Sequence, residues 1–173
     1  MAVIRKLGAH VATYKDIASH FETYRGARQA HIDALNNAMY SLMERYKESL
    51  KMESDSWLDS GGLRVQYLKF GRVNGKNFEQ KMAAIQEDSA GKLSASFFVL
   101  LDLQSKPGVI PAAQAEVLLI LSIVPNAIHA QIGEGGPVVE IPMDGDGSRF
   151  DPACAAISQN IMGQYRLSDF PKV

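Results

Sequence analysis

The sequence predicts an α+β fold: a long N-terminal helix (or helix pair), an antiparallel sheet of five or six strands and a C-terminal helix. Residues 11–52 contain no proline and space their apolar residues as a helix does. Residues 63–141 alternate apolar and polar side chains between tight turns, and residues 151–165 again favour a helix. Of the 173 residues, 46% are hydrophobic, which is enough for the core of one domain spanning 1–173.

The predicted N-terminal helix carries an apolar stripe with spacings of three and four from Ile32 onward. Gly26 interrupts the run and indicates either a kink or a boundary between two helices, because glycine costs ~1 kcal/mol relative to alanine in a helix. An unbroken helix of this length is unusual in a globular domain. We therefore expect it to project past its sheet, so that part of its stripe needs another surface. For the aromatic residues of this region we expect core packing; they are Tyr14, Phe21, Tyr24, Tyr40 and Tyr46.

Alternation and turn residues predict the strands. Asn74-Gly75 predicts a hairpin in which both residues occupy the turn with positive φ. The segment 93–103 alternates most regularly, and with the two strands before it should form an antiparallel meander. The segment 115–124 is apolar on both faces, so periodicity leaves strand and helix open, although its Ile and Val content favours a strand. Two more short strands are expected at 127–132 and 138–141.

Charge and cysteine usage narrow the class of protein. The net charge is -1 and the charges of both signs are interspersed, which disfavours nucleic acid and anionic membranes as partners. Cys154 is the only cysteine, so the chain has no internal disulfide and no multi-thiolate zinc site. The longest apolar run, 117–124, is far shorter than the ~20 residues of a membrane-spanning helix. We therefore expect a soluble, cytoplasmic protein.

The segment MDGDGSRFDPAC, 143–154, is the most site-like stretch of the sequence. It lacks the glycine and the closing glutamate of an EF-hand loop, and it also lacks the lysine of a phosphate-binding loop. We interpret it as a turn followed by a helix, with Asp151 as N-cap and Pro152 at the first helical position. The less favoured alternative is a metal site formed by Asp144, Asp146 and Asp151. We expect no metal ion and no cofactor.

Evidence for an enzyme is weak, and we assign no catalytic residue. The sequence contains no nucleophile elbow and no zinc-protease motif. The hydrolase-type alternative would use His129 with Asp102, or a metal at Asp144 and Asp146. Cys154 has alanines nearby, so we expect a small buried core thiol there rather than a nucleophile.

The leading hypothesis is a non-enzymatic protein-binding or assembly protein that acts as a homo-oligomer, most simply a symmetric dimer. The second face of the sheet combines serines with apolar residues and should need a cover. The element order is loosely similar to that of small acidic secretion chaperones, which dimerise and bind an unfolded client segment; a protein client is therefore possible here. The expected contact residues are Leu35, Met39, Leu42 and Tyr46 on the helix, Phe98 and Leu100 on the sheet, and Trp57, which could alternatively plug the open end of the sheet.

The alternative hypothesis is a small-molecule sensor or carrier. A curved antiparallel sheet closed by helices can enclose an apolar pocket with a few polar groups. Tyr67, Phe98 and His129 would line that pocket.

Overall fold

The computed structural model describes residues 12–75, 77–81, 83–104, 111 and 113–165. It confirms the α+β class: a long helix and a second, shorter helix pack on an antiparallel sheet. The sheet has seven strands rather than five or six, because the segment that follows the first hairpin turn divides into two strands. A separate two-stranded ribbon precedes the sheet in the chain.

Helix α1 spans Tyr14–Ser49 without a break, so the helix-pair alternative is wrong. Thr13 caps it: the Thr13 side chain accepts a hydrogen bond from the Asp16 N–H, and the Asp16 carboxylate accepts one from the Thr13 N–H. Gly26 lies inside the helix, and a Cβ added there would meet no atom within 4 Å. With a rise of ~1.5 Å per residue, α1 is ~54 Å long.

In the described residues, nine strands follow α1. They are β1 (Ser56–Leu58), β2 (Arg64–Gln66), β3 (Leu68–Asn74), β4 (Asn77–Glu79), β5 (Ala84–Glu87), β6 (Leu93–Leu103), β7 (Ala113–Val124), β8 (Ala127–Ile132) and β9 (Val138–Pro142). Strands β1 and β2 form the ribbon. The sheet runs in the order β4-β3-β6-β7-β8-β9, and β5 also pairs with β6. The last four strands therefore form an antiparallel meander.

Strand β7 settles the ambiguity over residues 115–124. It pairs with β6 along one edge and with β8 along the other. A strand held on both edges in the middle of a sheet can bury side chains on either face, which is why its sequence shows little alternation.

The hairpin predicted at Asn74-Gly75 is present, but its register differs by one residue. Asn74 pairs with Asn77 as the last pair of β3 and β4, and Gly75 opens the turn with φ 62°. Strand β5 pairs antiparallel with β6 across the next turn, as expected, but β3 also pairs with β6, so the expected three-stranded meander is present only in part. Gly71 is required here, because a Cβ at this position would collide with the carbonyl of Glu79.

The core lies between α1, a C-terminal helix and one face of the sheet. On β6 this face carries the apolar alternation that the sequence predicts, and Ala95, Phe97 and Val99 are at most 1% exposed. The paired residues of β7 extend the same surface, since Phe97 lies opposite Leu119 and Val99 opposite Val117. The opposite face of β6 carries the serines and Asp102, as expected.

Helix α2, Asp151–Gly163, closes the core beside α1. The expected N-cap role of Asp151 is wrong, because a 3-10 turn, Gly147–Phe150, precedes the helix and is capped by Asp146. The Asp146 carboxylate accepts a hydrogen bond from the Ser148 N–H at 2.9 Å. Asp151 becomes the first residue of α2 instead.

In the part of the chain that the structure describes, neither helix is long and apolar enough to cross a membrane.

Candidate functional site

The four helix residues expected to contact a partner are core residues of this chain. Leu35, Met39, Leu42 and Tyr46 are at most 2% exposed and pack in the core cluster with the sheet. No partner can reach them while α1 lies on the sheet. The expectation that these four residues contact a partner is therefore wrong. Any apolar surface of α1 that is free for a partner lies elsewhere on the helix.

The first part of α1, residues 14–27, projects past the sheet; we call it the projecting half. Every residue in it is exposed except Ala18, which is half-buried. At the boundary, the Arg28 guanidinium binds the carboxylate of Glu87 at the end of β5, 3.1 Å away. The expectation that this helix extends beyond its sheet is met, over a length of ~20 Å.

Four large apolar side chains lie exposed along the projecting half. Their exposed fractions are 87% for Tyr14, 60% for Ile17, 55% for Phe21 and 51% for Tyr24. For the three aromatic residues among them, Tyr14, Phe21 and Tyr24, core packing was expected, and this expectation is wrong. We call these four residues the projecting stripe.

The projecting stripe continues the buried stripe of the same helix. Its spacings of three, four and three residues run on through Arg28 and His31 to the buried residue Leu35. Because residues three and four apart share one helix face, the projecting stripe points to the side on which the sheet lies further along. The apolar face of α1 is thus covered by the sheet over only part of its length.

The second face of the sheet is half-apolar, as expected. Phe98 lies opposite Leu118, and Ser96 lies opposite Ile120. All four side chains are half-buried. Leu100, the other sheet residue expected to contact a partner, is only 4% exposed and offers little surface.

A buried polar cluster lies at one end of this second face. Asp102 is 6% exposed, and its carboxylate accepts hydrogen bonds from Lys69 Nζ at 2.8 Å and Gln114 Nε2 at 2.5 Å. Trp57 Nε1 in the ribbon lies 3.4 Å from the same carboxylate. The carboxylate is thus held by three donors. This arrangement is that of a satisfied structural ion pair.

The three residues expected to line one ligand pocket lie apart. Tyr67 donates a hydrogen bond to Gln104 and lies beside Asp102, at one end of the sheet. His129 lies opposite Ser122, near the far end of β7, with Nε2 3.6 Å from a Glu140 carboxylate oxygen. Along β7, the position beside Asp102 and the position beside His129 are eight residues apart, which corresponds to ~26 Å. Phe98 lies between them, so no common pocket forms.

The same separation argues against the hydrolase-type pair. Asp102 pairs with Gln114 and His129 with Ser122, at opposite ends of β7, so their side chains cannot share a proton. The metal version also lacks support: in the described part of the chain no three His, Cys, Asp or Glu side chains are grouped to hold an ion. Asp151 instead accepts hydrogen bonds from Arg45 Nε at 2.5 Å and Nη2 at 3.0 Å.

Cys154 is the buried thiol that the sequence indicates. It is 3% exposed at the start of α2. Burial raises the pKa of the Cys154 thiol to about 11, because the thiolate loses its hydration. A thiol of this kind stays protonated at neutral pH and is a poor nucleophile.

A cleft with a mixed polar and apolar lining lies between α1 and strand β3, with a volume of about 390 Å³. Three methionines, Met39, Met43 and Met52, line it together with Phe70 and Phe97. Charged residues of both signs line it as well, among them Glu44 and Lys47. No sequence pattern predicts this cleft, because its methionines come from two separate segments of the chain and meet only in the folded protein.

Comparison of the chain with protein-family models, with curated proteins and with solved structures found no match. Its function therefore has to be inferred from its own geometry. Two surfaces stand out: the projecting stripe and the methionine-lined cleft.

Proposed function

We propose that this chain is a non-enzymatic protein-binding or assembly protein that acts as a homo-oligomer through the projecting stripe. The observation that carries the proposal is the exposure of Tyr14, Ile17, Phe21 and Tyr24 on the continuation of the core-facing side of α1. Contiguous exposed apolar side chains on a helix are typical of an interaction site. Aromatic residues are also enriched among the residues that dominate binding energy.

The energetics favour a cover over this stripe. Complete burial of one large apolar side chain is worth ~1.5–3 kcal/mol, and the stripe contributes four such side chains in each chain. Exposure of these side chains to water is unfavourable, and self-association would remove part of that unfavourable free energy. A helix of this length also keeps the stripe rigid before binding, which reduces the entropy lost on association.

The charges around the stripe favour a protein partner over a polyanion. The projecting half carries Lys15 and Arg25 against Asp16 and Glu22, so the two signs balance. Part of this charge is paired within the helix, since Arg25 lies 3.3 Å from Glu22. Binding to nucleic acid would require an excess of positive charge on this face.

Phe21→Glu tests the proposal, because a carboxylate at the centre of the stripe would have to be desolvated at the interface. The matched control is Ser19→Glu, which adds the same charge on the opposite, exposed face of the same helical turn. We expect light scattering over a concentration series to show the oligomer for wild type and Ser19→Glu, and a monomer for Phe21→Glu. Both substitutions lie outside the core, so the fold should survive. Equal masses for the two variants would contradict the proposal.

A second candidate function, a carrier or sensor of apolar small molecules, is favoured by the methionine-lined cleft. Its volume of about 390 Å³ lies in the range of ligand sites, ~300–1,000 Å³. Methionine side chains adapt their shape and suit apolar ligands of varied form. The proposed occupant is a small apolar molecule seated between Met43 and Phe70.

The fluorescent probe anilinonaphthalene sulfonate distinguishes this cleft from the projecting stripe. We expect Met43→Glu to abolish most of the fluorescence increase, because the new carboxylate would point into the cleft. Phe21→Glu should leave the increase intact. The reverse pattern would show that the probe binds the projecting stripe, and it would remove the second candidate.

A further inference from the structure

We infer that the projecting halves of two copies pack against each other antiparallel, in one register, and so close the assembly as a two-fold symmetric dimer. This inference rests on the proposed function and deepens it, because it names the occupant of the projecting stripe and its direction. The occupant is the projecting stripe of a second copy.

The direction follows from the position of the sheet. Beyond Arg28, the side of α1 that bears the stripe is occupied by the chain's own sheet, from Glu87 at one end to Leu103 near Leu50 at the other. A straight partner helix laid on the stripe in parallel would run into that sheet. An antiparallel partner leaves past Tyr14, where the chain's own sheet does not reach. Only the antiparallel arrangement lets both copies cover the stripe fully.

The register follows from the spacing of the stripe. In an antiparallel pair centred on residue 19, Ile17 of one copy lies level with Phe21 of the other, and Tyr14 lies level with Tyr24. In this single register, every large side chain of the stripe therefore lies level with a large side chain of the other copy. This alternation of spacings of three and four is the pattern with which helices interlock side chains as knobs into holes.

The flanks of the stripe agree with this register. Ala18 borders the stripe on one side, and its small side chain lets the two helices approach closely. His20 borders it on the other side, where it lies beside its counterpart across the two-fold axis, offset by only ~3 Å along the helices. Ala27 lies on the same flank two turns later, and the Ala27 of the second copy is ~24 Å away from it along the helix direction.

The area of this interface predicts a reversible dimer. Aromatic side chains bury ~150–250 Å² each when fully covered, so the exposed parts of the stripe supply roughly 500 Å² per chain. Stable interfaces bury ~800 Å² per partner. We therefore expect the fraction of dimer to rise with concentration rather than to stay constant.

The test uses single cysteines in the full chain, with Cys154→Ala removing the buried native thiol. His20→Cys and Ala27→Cys place a thiol on the same flank of the helix, and both positions are exposed. After treatment with a short thiol-to-thiol cross-linker at a concentration at which light scattering shows a dimer, we expect a cross-linked dimer for His20→Cys, because flank residues of two packed helices lie slightly beyond the reach of a direct disulfide. Under the same conditions Ala27→Cys should stay at least ten-fold less cross-linked.

Each other outcome overturns the inference in a different way. Equal cross-linking at both positions would mean a parallel pair. A dimer in solution with no cross-link at His20→Cys would mean another interface or register, while the proposed assembly function would stand. A monomer at every concentration would remove both the antiparallel pair and the proposed function.

Discussion

The buried carboxylate of Asp102 depends on hydrogen-bond donors from three other segments of the chain. A carboxylate only 6% exposed has to be paired, because burial of an unpaired charge costs several kcal/mol. Lys69 and Gln114 reach it from the two strands that flank β6, and Trp57 reaches it from the ribbon. The alternating pattern of β6 places Asp102 on the polar face, but sequence alone could not name these donors, since they lie 12 to 45 residues away.

Asp102→Ala should destabilise the fold strongly, because it leaves the Lys69 ammonium, only 18% exposed, without its counter-ion. The expected loss is ~3–5 kcal/mol in the free energy of unfolding, measured by urea denaturation. Glu79→Gln is the control: it removes the partner of Lys81, whose side chain is 63% exposed, and should change stability little. Equal losses in the two variants would contradict the structural role of the Asp102 pair.

At the scale of elements, α1 and α2 are joined by a surface ion pair. Arg45 of α1 binds both carboxylate oxygens of Asp151 at the start of α2. The hydrogen bond from Arg45 lowers the pKa of the Asp151 carboxyl below its ordinary value. A carboxyl whose pKa is lower in the folded state stabilises the protein above the pKa of the unfolded chain, and loses this contribution as the pH falls through the folded value.

Asp151→Asn should therefore lower the thermal unfolding midpoint at pH 7, and the difference from wild type should shrink as the pH falls below ~4. Asp144→Asn, at an exposed position in the preceding loop, is the control and should show no such pH-dependent difference. A deficit in Asp151→Asn that stays constant down to pH 2 would contradict the assignment, because it would not follow the charge of the carboxyl.

Several elements could be predicted from the sequence because their patterns are local. The apolar spacing of α1, the alternation of β6 and the aspartate and proline at the start of α2 each lie within one segment. The turn between β3 and β4 lies one residue further along the chain than Asn74-Gly75 predicts, because Asn74 still pairs with Asn77 as the last pair of the hairpin. Asp146, rather than Asp151, has the capping role, because a 3-10 turn that no sequence pattern predicts precedes α2, and Asp146 caps that turn.

At the scale of the whole molecule, the free surface of α1 depends on how far the sheet extends. Strand β7, the longest strand in the part of the chain that the structure describes, has 12 residues and spans ~40 Å, whereas α1 spans ~54 Å. The length of the apolar stripe predicts that the helix projects, but the sequence does not indicate which end is free. The expected contact residues, Leu35 to Tyr46, are covered by the sheet, whereas Tyr14 to Tyr24 are exposed.

The most direct test of the central claim is the mass of the wild-type chain by light scattering, measured over a hundred-fold range of concentration. The exposed stripe predicts a reversible shift from monomer towards dimer as the concentration rises, with no larger species, because an antiparallel pair consumes both stripes. A mass that stays at one chain throughout the range would contradict the account. Growth beyond two chains would contradict the closed antiparallel dimer.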